Sequence, residues 1–134
     1  MILSWQNSFG MNTRNVRKEH QMALTRSFRE SVMEELRNKE YRRAFLQGII
    51  DDLLAGDLEF AKSMLREYIN GTTGFIAAGK ALNRSPKSLM RMLSATGNPQ
   101  ARNLFDLIAY LRKADGIAFE VRVVKAKAVK RKAA

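Results

Sequence analysis

Apolar residues recur along this chain at helical spacing in separate windows, and residues that stop or start helices mark the breaks between them. Phe28, Val32 and Leu36 fall at i, i+4 and i+8, with Ser27 and Glu30 spaced as a capping box around the helix start. Lys39 to Leu54 carries Tyr41, Phe45, Ile49 and Leu53 on one stripe, widened by Leu46, Ile50 and Leu54. Gly56 closes that window and Asp57 caps the next, where Leu58, Ala61, Leu65 and Tyr68 form the inward face until Asn70 and Gly71 stop it. Each stripe reads as the buried face of an amphipathic helix rather than as the lining of a ligand pocket.

The window from Phe75 to Ser94 is shorter and interrupted. Ala78, Gly79 and Leu82 fall inward on one short helix, and Leu89, Met92 and Leu93 on a second. Asn83 suits the left-handed residue that ends the first, while Ser85 and Pro86 supply the N-cap and first position of the second. Gly79 gives room where the two backbones approach. The spacing predicts a helix-turn-helix, and a plain helical hairpin with a solvated basic face is the rival reading of the same pattern. A helix-turn-helix sends the N-terminal end of its second helix into the DNA major groove. Ser85, Pro86, Lys87, Ser88, Met90 and Arg91 are therefore the candidate DNA contacts on that helix. Lys87 and Arg91 share a face, and Arg reads guanine through a bidentate pair.

Gly97, Asn98 and Pro99 form the next break. Asn98 is expected to cap, and Pro99 to open, a last helix whose core face is Leu104, Leu107, Ile108 and Leu111. Backbone N–H groups at that start, with Asn98 and Arg102, complete the candidate site as holders of a DNA phosphate. A capped helix with a solvated arginine is the equal alternative.

After Gly116 the period changes to two. Ile117, Phe119, Val121 and Val123 alternate with Ala118, Glu120, Arg122 and Val124, which predicts a short β-strand over 117–124. One strand is not stable alone, so an identical strand of a second subunit, giving a homodimer, or a partner protein must pair with it. The basic run 125–134 is expected to be a disordered tail. Residues 1–21, with Trp5, Phe9 and the sole histidine, His20, show no sustained period and are expected to be a flexible extension. The fold class that follows is all-α: one domain of five to six helices, with 22–71 supplying the N-terminal helices and 72–116 the DNA-binding region, and a short C-terminal strand.

Charge sharpens this picture. The net charge is +11, and between residues 72 and 113 seven basic residues face one acidic residue, whereas 22–71 holds eight basic and nine acidic. A merely solubilising charge would be spread more evenly, so the excess points to a nucleic-acid face. No apolar run approaches the length of a membrane span and there is no cysteine, so no membrane partner and a cytoplasmic location are expected. The acids around Gly56 lack the alternation of a calcium loop, the glycines lack the lysine of a phosphate-binding loop, and no serine has a base at hand. Neither catalysis, nor a metal, nor a cofactor is expected.

Three segments carry a resemblance: MALTRSF at Met22 to Phe28, GFIAAGKALNRSPKSLMRMLSATGNPQARNLFDLI at Gly74 to Ile108, and GIAFEVRVV at Gly116 to Val124. In these the chain resembles small bacterial regulators with a lambda-repressor-like (Xre-type) helix-turn-helix, related to HigA-like antitoxins and addiction module antidote proteins. Arg84 and Asn83 depart from the apolar residue and the glycine usual around the turn of that motif. The resemblance implies binding to operator DNA and repression of transcription, in the manner of a regulator of its own operon. It also carries an alternative, an antitoxin that covers a protein toxin and binds DNA secondarily.

Overall fold

The structure, a computed structural model, describes residues 26–127. Among them lie six helices: α1 (Arg26–Glu35), α2 (Lys39–Leu54), α3 (Leu58–Gly71), α4 (Phe75–Leu82), α5 (Pro86–Met92) and α6 (Ala101–Ala114). The all-α class expected from the periodicity is what the structure has, and no described helix is long and apolar enough to cross a membrane.

Helix α3 lies at the centre. It packs against α1, α2 and α4, while α4 packs against α5 and α6. Its buried residues, Phe60, Ala61, Lys62, Met64, Leu65, Glu67, Tyr68 and Ile69, go most of the way round the helix, as expected of an element enclosed by neighbours. Phe45, Leu46 and Ile49 of α2, Leu89 of α5 and Leu104, Leu107, Ile108 and Leu111 of α6 join them in one core. Phe45 links the rings of Tyr41 and Tyr68, with centroids 5.9 and 6.0 Å away. Burial, then the Glu35 charge, pushes the Tyr41 hydroxyl up to about 12, and burial pushes Tyr68 further in the same direction. Both stay protonated across the neutral range, and the stability they contribute is complete below the ordinary tyrosine value and lost as pH rises above it.

Local cap chemistry fixes most of the helix ends. Asn38 accepts a hydrogen bond from the Tyr41 N–H at 3.0 Å, Asp57 from Phe60 at 3.2 Å and Ser85 from Ser88 at 3.0 Å. Asn83 is left-handed, at φ 57° and ψ 47°, and the following Arg84 N–H donates to the Gly79 carbonyl at 2.8 Å. Only residues 83–85 then separate α4 from α5.

Three expectations are corrected. Helix α1 already includes Arg26, so Ser27 lies inside the first turn instead of capping it; Arg26 reaches Glu30 at 3.6 Å across that turn. Helix α6 begins at Ala101, with Gln100 as its N-cap, so Asn98 does not cap and Pro99 does not open it. The cause is tertiary: Gly97 is held against the end of α5, and the chain stays out of helix until it has cleared that contact. Residues 117–127 form no strand, because a ladder needs a second edge and none of the described chain supplies one. Ile117 and Phe119 nonetheless pack half-buried against the core. The expected extension 1–21 and most of the tail 125–134 lie outside the described residues.

The turn after α4 depends on the absence of a side chain at Gly79, where a Cβ would meet the Arg84 carbonyl oxygen at 2.5 Å and the Pro86 nitrogen at 3.4 Å. Both neighbours are backbone and have little room to move. Gly79→Ala should therefore destabilise the protein by about 1–3 kcal/mol, although alanine is the better helix former. A urea midpoint unchanged or raised by the substitution would contradict this packing.

Candidate nucleic-acid interface

Helix α5 is only seven residues long, and its direction is set at both ends. At its start the Ser85 side chain is spent on the cap and Pro86 occupies the first position. Leu89 and, just past the end, Leu93 are fully buried and fix its rotation. What remains outward is Lys87, Met90 and Arg91, all exposed, with Pro86 and Ser88 half-buried beside them.

The C-terminal end of α5 is held from below. Lys62 and Arg66 lie four residues apart on α3 and both reach backbone carbonyls beyond the α5 core positions. The Arg66 guanidinium donates to the Leu93 carbonyl. The Lys62 ammonium, in a residue only 1% exposed, donates to the Gly97 carbonyl at 2.6 Å and pairs with the exposed Glu59 carboxylate at 3.1 Å. Ser94 Oγ adds a third donor, to the Arg91 carbonyl at 2.8 Å. Cations placed at helix C-terminal carbonyls satisfy acceptors that have no partner within the helix and complement its dipole. Gly97 is required here for a second reason: a Cβ would meet the Arg91 and Met92 carbonyl oxygens.

The result is a concavity of ≈ 450 Å³ between α5 and the start of α6, lined by Arg84, Ser88, Arg91, Asn98, Gln100 and Asn103 among others. Of the candidate contacts read from the sequence, Ser88, Arg91 and Asn98 come together there. Lys87 and Met90 lie outside the concavity on the exposed surface of α5, and Arg102 is exposed in the first turn of α6. Arg84, Gln100 and Asn103 were not anticipated. Arg84 precedes the Ser-Pro helix start directly, and that position was the available signal.

The ion pairs of the described residues are made by cations of α1 to α3, although Lys39 and Arg43 of α2 make none. In α1 to α3, Arg29 bonds Glu67 at 3.3 Å, Arg42 bonds Asp115 at 2.8 Å, and Arg26, Arg37 and Lys62 each sit within 4.0 Å of a glutamate. Among the described residues, Lys80, Arg84, Lys87, Arg91 and Arg102 make no ion pair and no side-chain hydrogen bond. Of these, Lys87 and Arg91 lie on the outward face of α5 and Arg84 stands directly before its cap, with no charge partner among the described residues.

Lys62→Met keeps most of the stem volume but removes the donor to the half-buried Gly97 carbonyl, a loss that costs about 1–3 kcal/mol. The loss should appear as a lower urea midpoint, while Glu59→Gln at the exposed partner changes stability by less than about 1 kcal/mol. Equal effects of the two substitutions would mean that the bond to the loop carries no special weight. Comparisons with protein-family models, with curated protein sequences and with solved structures give no match to this chain.

Proposed function

We propose that α4 and α5 act as a helix-turn-helix and that the protein is a sequence-specific DNA-binding regulator. The observation that carries this reading is the set of unpaired cations, Arg84, Lys87 and Arg91, grouped on and beside a short, rigidly capped helix whose opposite face is locked in the core. A duplex offers such a surface both of the things it lacks: phosphates for its charge and base edges for its fixed geometry.

In this reading α5 enters the major groove from its N-terminal end. Lys87 and Arg91 reach base edges, and Met90 makes apolar contact beside them. Arg84 on one side, and Asn98, Gln100, Asn103 and Arg102 on the other, hold the flanking phosphates and set the register. The resemblance to Xre-type regulators supports a further step, from DNA binding to repression by occupancy of an operator.

Replacing Arg91 by Ala should cost about 1–3 kcal/mol on the preferred duplex and relax base preference at one position. Selection of sites from a random-sequence pool by the parent and by Arg91→Ala checks both. The same selected motif from each would remove Arg91 as a base reader. Failure of the parent to enrich any motif would leave only sequence-independent attraction to phosphates.

A further inference from the structure

Away from α5, the ends of α1, α3 and α6 meet the start of α2 around a cleft of ≈ 290 Å³. Arg42, Tyr68, Thr72, Thr73 and Asp115 supply its polar lining, and the buried Leu36 and Leu111 an apolar wall. Arg42 and Asp115 are joined by a single hydrogen bond, from Nε to Oδ1 at 2.8 Å, and the Asp115 side chain is only 9% exposed. Arg42 Nη1 is spent on the Leu36 and Arg37 carbonyls at 3.1 and 3.0 Å, whereas Nη2 makes no hydrogen bond among the described residues. Asp115 Oδ2 is buried and has no partner among them either. A buried ion pair normally uses its remaining donors and acceptors, because each one left over keeps its desolvation cost. The Tyr68 hydroxyl is also without a hydrogen bond among the described residues, and burial, then the Asp115 charge, keeps it protonated as a donor. Thr72 donates to the Tyr68 carbonyl at 2.7 Å and Thr73 to the Gly74 carbonyl at 3.3 Å, which leaves both hydroxyl oxygens able to accept.

We propose that this cleft binds a free α-amino acid. A cation alone would satisfy Asp115 Oδ2 but lie against the Arg42 guanidinium, and an anion alone would satisfy Arg42 but lie against the Asp115 carboxylate. A zwitterion meets both. Its two charges sit on one carbon, as the unused donor and the unused acceptor sit on one ion pair. The ammonium donates to Asp115 Oδ2 and to a threonine hydroxyl, and the carboxylate accepts from Arg42 Nη2 and the Tyr68 hydroxyl. The torsion that turns an aspartate carboxylate is soft, so a small rotation brings Oδ2 to the ligand. At ≈ 290 Å³ the cleft lies at the low end of those that take small molecules, which limits the amino-acid side chain, set toward Leu36 and Leu111, to a small one.

The proposal does not depend on DNA binding, and no DNA enters its test. Amide shifts of isotopically labelled protein are followed with L-alanine, with ethylamine and with propionate, each up to about 50 mM. Ethylamine and propionate keep one charged group apiece, so the comparison needs no variant. L-Alanine should give saturating shifts centred on residues 71–73 and 114–115, and the two fragments should bind at least about tenfold more weakly. D115N, which keeps the size of the side chain and removes its charge, should weaken L-alanine at least about tenfold. Y68F, which removes only a hydroxyl, should weaken it about threefold and carries the variant test if D115N does not fold. The absence of saturating shifts with L-alanine, as from a cleft that holds only water, would overturn the proposal. So would a fragment that binds as well as L-alanine, or folded D115N or Y68F that binds L-alanine as the parent does.

Discussion

The Lys62 ammonium lies almost wholly out of water, held by the Gly97 carbonyl at 2.6 Å and by the Glu59 carboxylate at 3.1 Å. Removing a cation from water costs several kcal/mol unless hydrogen bonds and charge replace its hydration. Any drift of the loop after α5 away from α3 would strip the ammonium of its carbonyl, so the loop is tied to the position of that charge. Arg66, one turn along, ties the Leu93 carbonyl in the same way. Two cations on the central helix thus set where α5 ends and where the chain turns toward α6.

This constraint connects packing to function. In the proposed reading α5 is a recognition element, which has to be presented without the freedom to adapt, since a bidentate arginine contact tolerates little error in position. Helix α5 is too short to hold itself by its own hydrogen bonds. Its cap, its two buried leucines and the cations beneath its C-terminal end supply the rigidity instead. Most acids of the described residues lie on α1 to α3, where Glu30, Glu34 and Glu67 pair with neighbouring arginines, while Asp115, just past α6, pairs with Arg42. Lys80, Arg84, Lys87, Arg91 and Arg102 make no ion pair among the described residues, and in the proposed reading they meet the phosphates of DNA.

The sequence was most readable where the determining chemistry is local. Asp57, Asn83 and Ser85 take the roles their types and spacing suggest, because a cap acts within one turn of its own helix. Ser27 and Asn98 look equally suited to capping and do not do so. For Asn98 the reason lies far off in sequence, in a lysine on α3 that holds the preceding glycine. Periodicity assigns charged positions to solvent, and for that reason Lys62 and Glu67 went unnoticed although both are buried. Leu54 shows the converse, an apolar residue on a predicted core stripe that ends up exposed at the last position of its helix. The alternation over 117–124 is real, but a strand needs a second edge, and none of the described residues supplies one.

Mapping the bound surface tests DNA reading by α5 most directly. Backbone amide shifts of isotopically labelled protein can be followed as a duplex carrying a selected site is added at moderate salt. Shifts clustered from Arg84 to Arg91 and from Asn98 to Asn103, with α1 and α2 unchanged, are expected. Shifts confined to the basic run 125–134, or to α2 and residues 117–124, would contradict it.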